Sequence, residues 1–227
     1  PGFGPHRALL ETLRDAYRQA TLALRLPLSD GFDVFERVRP IPFIARQPAG
    51  GRHETRRQLG LSDDERLALL SFGGYGMPAL DLERLDCFDT WRVVTTDRVT
   101  DRPGALPARV VRISEDRFLT GPCRYEDLVQ AVDVVVTKPG YGIIADCIAA
   151  GTAMLYTSRG SFREYDLLVD ALPRHVRSGF ISQEELFGGR WREALDSVLA
   201  APPPPVPQPR TDGAAVAARV IAELGAG

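Results

Sequence analysis

Residues 133–166 read DVVVTKPGYGIIADCIAAGTAMLYTSRGSFREYD, and this stretch restricts the fold more than any other part of the chain. Val134, Val135 and Val136 make an apolar β-branched run, the pattern of a strand buried on both faces. It stops at Lys138-Pro139-Gly140-Tyr141-Gly142, where proline and two glycines permit a turn that other residues resist. Ile143, Ile144, Cys147, Ile148 and Ala149 then recur at helical spacing, Gly151 ends the helix, and Ala153-Met154-Leu155-Tyr156 resumes as a strand. Strand, loop, helix and strand form one βαβ unit, which requires parallel pairing. Open α/β sheets bind ligands at the carboxyl ends of their strands, so the loop at 138–142 faces a ligand site.

The rest of the chain supplies further elements of the same kind. Residues 67–72, LALLSF, form an almost wholly apolar run and a buried first strand, and Gly73-Gly74-Tyr75-Gly76 follows it as a second glycine loop. WRVVTT at 91–96 and RVVRI at 109–113 read as two more strands, with a segment between them too rich in proline for a helix. Helices are expected at 7–26, where Leu9, Leu10, Leu13, Tyr17, Ala20 and Leu24 lie on or near one face, and at 53–60, 124–132, 165–172, 191–199 and 213–224, with a helical turn at 184–187. Residues 29–51 carry several prolines and glycines and read as a stiff, extended linker, with a domain boundary near residue 40. A proline-rich spacer at 201–209 precedes the last helix. The expected organisation is therefore a helix and linker at 1–40, an α/β, Rossmann-like domain with a parallel sheet flanked by helices at 41–200, and the spacer and closing helix at 201–227.

Composition narrows the function by exclusion. A net charge of −2 gives no electrostatic case for a nucleic-acid partner. Cys87, Cys123 and Cys147 are far apart and form no CxxC or His/Cys cluster, which suggests neither a disulfide framework nor zinc and makes the reducing cytoplasm the expected location. No apolar run approaches the roughly 20 residues needed to cross a bilayer. There is no signal-peptide pattern, and a chain that begins at Pro1 reads as a piece of something longer. His6, His53 and His175 are dispersed in polar contexts and support no Ser/His/Asp or Cys/His arrangement.

The two glycine loops carry the chemistry. Both open at one edge of one sheet, and a helix amino terminus with glycines before it suits a phosphate. Neither loop is a GxGxxG or a GxxxxGK[ST], so nucleotide hydrolysis of the P-loop type has no support. Lys138 is the only lysine in a chain that otherwise uses arginine; it is either a product of codon bias or an ammonium placed beside a phosphate. Asp146, one turn into the helix, either reaches a ribose diol or sits there because acids favour the start of a helix. Glu164 and Asp166, in the charged loop after the next strand, either bind hydroxyls of a second sugar or form a solvated helix start.

Five blocks, ALRLPL at 23–28, VRPIPFIAR at 38–46, LLSFGGYG at 69–76, YEDLVQAVDVVVTKPGYGIIADCIAAG at 125–151 and FREYDLLV at 162–169, together resemble the carboxyl-terminal half of GT-B glycosyltransferases of the lipid II N-acetylglucosaminyltransferase type, family 28. They are more similar still to the glycosyltransferase-like domain that precedes the kinase domain of plant L-arabinokinases. The resemblance implies a domain that holds a nucleotide-sugar donor, with no metal or cofactor required. It implies that Gly73, Gly74, Tyr75, Gly76, Lys138, Gly140, Tyr141 and Gly142 surround the diphosphate, and that Pro122 and Cys123 border the base. Asp146 stands where the family has a glutamate on the ribose, one carbon shorter. Glu164, Tyr165 and Asp166 match the segment that meets the donor sugar, without the family's glutamine pair, which leaves the sugar open. The acceptor site and catalytic base of such enzymes come from an amino-terminal domain, expected here in the same gene product or as a separate chain. The helix at 213–224 would cross back toward it.

Overall fold

The computed structural model describes residues 7–73, 77, 80–97, 106–205 and 208–225. The chain opens with α1 (Arg7–Arg18), β1 (Ala23–Arg25) and β2 (Val38–Pro40). There follow α2 (Arg52–Leu59), β3 (Arg66–Ser71), β4 (Trp91–Thr96), β5 (Val110–Ile113), α3 (Asp116–Leu119), α4 (Tyr125–Ala131), β6 (Val134–Thr137), α5 (Tyr141–Ala150), β7 (Ala153–Tyr156), α6 (Tyr165–His175), β8 (Ser178–Phe180), α7 (Gln183–Gly188) and α8 (Arg192–Ala200). It closes with α9 (Gly213–Gly225). Two compact units divide these elements, Pro1–Ile44 with Asp212–Gly227, and Ala45–Thr211.

In the first unit β1 and β2 pair in parallel, Ala23 opposite Val38 and Arg25 opposite Pro40. Two expectations fail here. The helix expected at 7–26 ends at Arg18, and residues 23–25 are a strand; the parallel partner offers Ala23 and Ile41 backbone bonds to Arg37 and Arg25 that helical periodicity alone does not weigh. The segment around residue 40, expected to be an unpacked linker, buries Ile41 and Phe43 to 6% and 2% exposure. No residue of α1 is buried, and Leu9, Leu10, Leu13 and Tyr17 are exposed.

The second unit holds a six-stranded, wholly parallel sheet in the order β5-β4-β3-β6-β7-β8. Both its faces are covered. Ala68, Leu70, Val134, Val136 and Leu155 join Trp91, Trp191 and Leu195 in one cluster, while the alternate residues Leu67, Leu69, Val135 and Met154 are buried just as completely. This is why the strands read as continuous apolar runs rather than alternating ones. Each such side chain contributes about 1.5–3 kcal/mol by leaving water. Strand β8, Ser-Gly-Phe, has no sequence pattern of its own; it forms because Met154 and Ile181 donate backbone bonds to Arg177 and Tyr156 along the exposed edge of β7.

The edge where the strands begin is closed by charge. Arg56, at 2% exposure, donates to the carbonyls of Ala131, Ser62, Asp63 and Glu65 and to the Asp133 carboxylate at 2.7–3.1 Å. Asp133 also takes Arg52 at 2.6 Å and the Leu67 backbone N–H at 2.8 Å. These bonds lock α2 to the first residues of β3 and β6. No helix among the described residues is long and apolar enough to cross a membrane.

Candidate functional site

The strand order reverses between β3 and β6, since from β3 the chain moves outward to β4 and β5 and then returns to β6 on the other side. Crevices at such switch points, outside the carboxyl ends of the strands, are where open α/β sheets bind ligands. Ser71 pairs with Thr137 at that end, and the Thr137 hydroxyl donates to the Ser71 carbonyl. The Ser71 and Tyr125 hydroxyls share a 2.6 Å hydrogen bond, and burial pushes the Tyr125 phenol up to about 12. A polar floor therefore joins the two central strands to α4.

Over this floor stand Gly73 and the loop at 138–142. Gly73 turns at φ +66°, a left-handed conformation that costs a side chain roughly 1–2 kcal/mol. Gly74, Tyr75 and Gly76 lie outside the described residues. Across the switch point, α5 starts at Gly140 with no side-chain cap and no acid in its first turn. Among the described residues a Cβ at Gly142 would meet nothing within 4 Å at the helix start. Lys138 is exposed and Tyr141 half-buried beside it. The amino end of a helix carries about half a positive charge and spare N–H donors, so an anion fits here by both charge and hydrogen bonding.

The other expected residues are distributed around that centre. Asp146 is half-buried, and its carboxyl is pushed above the ordinary range, chiefly by burial and also by Glu126, against the pull of Arg46. It accepts the Arg46 backbone N–H, so it is engaged with the segment leading into the unit. Asp127 fastens the same segment by accepting from Ala49 and Gly50 at 2.6 and 3.1 Å. Pro122 is exposed, and Cys123 is buried with its thiol donating to Gln58 of α2 at 2.8 Å. A cavity of about 580 Å³ opens beside them, lined by Thr96, Glu115, Phe118, Leu119, Arg124 and Tyr125 among others. Glu164 and Asp166 are exposed at the start of α6 with Tyr165 half-buried between them, and burial with the neighbouring Asp166 raises the Tyr165 phenol.

Sequence reasoning missed three features of this edge. Phe118 and Leu119 belong to a four-residue helix too short to leave a periodic signal. Thr157 is 1% exposed with a hydroxyl that finds no partner among the described residues. Arg159 bends back from the loop after β7 to the Pro139 carbonyl at 3.0 Å. A further cavity of about 530 Å³ lies at the opposite edge, where Arg52 is occupied by Asp133 and Val132 and Arg177 by the Leu199 carbonyl; these cations serve backbone carbonyls and strand starts. Among the described residues no three His, Cys, Asp or Glu side chains form a metal cluster.

No protein-family model matches the chain. L-arabinokinase of Arabidopsis thaliana is 21% identical over 222 residues, covering 98% of this chain and 20% of that protein. Among solved structures the chain is similar to the calicheamicin glycosyltransferase, with a TM-score of 0.54 and 15% identity over 88% of this chain and 52% of that one. It is similar also to the glycotransferase of kitacinnamycin, with a TM-score of 0.56 and 15% identity over 88% of this chain and 60% of that one. An Arabidopsis thaliana protein complexed with UDP-L-rhamnose matches with a TM-score of 0.50 and 15% identity, over 83% and 52% of the two chains. The chain thus spans a fifth of the arabinokinase and little more than half of these structures. At such identities the likeness is one of fold: an α/β, Rossmann-like parallel sheet with flanking helices, of the glycosyltransferase GT-B kind.

Proposed function

We propose that the chain is the donor-binding half of a glycosyltransferase that takes a sugar from a nucleoside-diphosphate sugar. One observation carries this reading. At the switch point of a parallel sheet, a left-handed glycine turn meets a helix start that has no cap and no first-turn acid, with Lys138 beside it making no ion pair among the described residues. Gly73 and the 140–142 loop then meet the diphosphate, the cavity at Phe118 and Tyr125 receives the base, and Glu164, Tyr165 and Asp166 face the donor sugar. Kinship with the family 28 transferases belongs to the same reading, on the sequence blocks that resemble them.

In the reaction an acceptor hydroxyl attacks the anomeric carbon while the bond from that carbon to the β-phosphate oxygen breaks. The nucleoside diphosphate leaves with the electron pair, and the amino end of α5 together with Lys138 stabilises its charge as it develops. The base that takes the acceptor proton comes from a second domain, in the same gene product or a separate chain. No step requires a metal. Calorimetric titration of this chain with UDP, dTDP and GDP tests the reading: binding of at least one is expected, without glycosyl transfer by the chain alone. Failure to bind any of them overturns it, and transfer by the isolated chain overturns the division into halves.

A second reading is favoured by the relative's name, which is that of a kinase. In it the domain keeps nucleotide-sugar binding without transfer and serves as a sensor or scaffold joined to another enzyme. Assay of the intact gene product separates the two, since only the first predicts a glycosylated acceptor.

A further inference from the structure

Arg159 is placed beside the amino end of a helix, which disfavours a cation. Its Nη1 donates to the Pro139 carbonyl at 3.0 Å, and its guanidinium lies 3.8 Å from the centroid of the Phe162 ring. A Cβ on Gly140 would stand 3.2 Å from the same nitrogen, so the cation rests against the residue that opens α5. Charge at that end of a helix is worth about 0.3–1 kcal/mol in favour of anions and against cations. Lys138 adds a second positive charge on the same loop, and α5 has no acid in its first turn.

Several other arginines of this unit meet carboxylates, Arg52 and Arg56 on Asp133, Arg66 on Asp196, and Arg92 and Arg109 on Glu65, while Arg177 meets the Leu199 carbonyl. Arg159 and Lys138 form no ion pair among the described residues, and the remaining guanidinium N–H groups of Arg159 make no hydrogen bond there. A second orphan lies two residues away. The Thr157 hydroxyl is enclosed and unpartnered, while the backbone N–H of that residue donates to Thr137 at 3.0 Å. Two cations and a helix amino end on neighbouring loops leave a deficit of negative charge among the described residues, and the buried Thr157 hydroxyl on the same segment as Arg159 has no partner there.

We infer that Arg159 binds the β-phosphate of the donor, held in place by the Pro139 carbonyl and by stacking on Phe162. The inference rests on the donor-binding reading and assigns that site a residue and a preference. The loop that carries Arg159 runs on into Glu164–Asp166, the segment assigned to the sugar, while its partner Pro139 belongs to the diphosphate loop. A guanidinium spanning the two faces the phosphate to which the sugar is attached. Its planar fork suits a phosphate in a way an ammonium does not.

Calorimetry with UDP, dTDP and GDP and with their monophosphates tests this on the wild-type chain, Arg159→Ala, Arg159→Lys and Phe162→Leu, with thermal melting as a check on folding. For the base that binds best, Arg159→Ala is expected to weaken the diphosphate about 10- to 100-fold and the monophosphate hardly at all. Arg159→Lys falls between, and Phe162→Leu weakens the diphosphate about threefold by freeing the guanidinium. Equal diphosphate affinity in Arg159→Ala and wild type overturns the clamp and leaves the donor-binding reading standing. Equal losses for mono- and diphosphate mark a structural role and also overturn the clamp. A wild-type chain that binds no diphosphate overturns both.

Discussion

The two edges of the six-stranded sheet are built from similar residues and end in opposite conditions. At the edge where the strands begin, Arg56, Arg52 and Asp133 satisfy one another and the carbonyls around them. At the edge where the strands end, Lys138, Arg159, Glu164 and Asp166 form no ion pair and the Thr157 hydroxyl has no partner among the described residues. A buried group without its partner costs about 1–3 kcal/mol; the strand-start edge also holds such atoms, the Nε of Arg92 and of Arg177 among them, but there they belong to cations whose other nitrogens are engaged by Glu65 and the Leu199 carbonyl. The first edge is closed by its own side chains, and the second carries charges that the described residues do not neutralise.

The largest test of that contrast is Arg56→Met. Removing Arg56 takes the donor from four carbonyls and from one Asp133 oxygen, with Arg52 still paired to Asp133, and is expected to cost about 3–5 kcal/mol of unfolding free energy, read from urea denaturation. A loss below 1 kcal/mol would break the comparison, because the closed edge would then contribute no more than an exposed ion pair.

At the open edge the effects are smaller and differ between two glycines. Gly73→Val puts a β-branched residue at φ +66° and should cost about 1–2 kcal/mol by the same measurement, a Cβ there meeting none of the described residues within 4 Å. Gly142→Ala should do the reverse. That position is helical with empty space beside it, so alanine is expected to stabilise the chain by about 0.5–1 kcal/mol while weakening nucleoside diphosphate binding. Gain of stability with loss of binding would show that the glycine is kept for close approach of a ligand; unchanged binding would assign Gly142 to the turn alone.

How far these edges could be read in advance depended on whether a residue's role is local. Val134–Val136, the Lys138–Gly142 turn and the Gly151 stop carry their structure in their own spacing, and strands β3, β4, β6 and β7 follow from apolar runs. The strand β8 and the helix α3 carry no such signal, because Ser-Gly-Phe pairs only through its neighbour's backbone and four residues are too few for a period. The same limit applies to the site. The glycine loops were visible, but the approach of Arg159 to Pro139 and the capture of the Arg46 N–H by Asp146 join residues 20 and 100 positions apart. Composition does not report such pairs. The strand Ala23–Arg25 was misassigned for a related reason, its apolar spacing being compatible with the preceding helix until a parallel partner is known.

Asp146 gives the smallest effect and the sharpest discrimination, because it lies at the open edge yet is partly engaged. Its carboxyl is raised above the ordinary value, by burial first, so the folded chain holds that proton more tightly than the unfolded one. The stabilisation this provides is complete below the unfolded pKa of about 3.9 and is lost as pH rises through the folded value. Asp146→Asn keeps an acceptor for the Arg46 N–H and removes the buried charge; its melting temperature should exceed that of the wild type at pH 7 and match it near pH 3.5. Ribose hydroxyls donating to the carboxylate would favour its charged form and lower its pKa on binding. Affinity for a ribonucleoside diphosphate should then rise more steeply with pH, through the raised folded value, in the wild type than in Asp146→Asn, and the two should show the same pH dependence for a ligand lacking the ribose hydroxyls. A stability difference without that pH-dependent affinity would assign Asp146 to fastening the entry segment, and the closed condition of the first edge would extend one residue into the second.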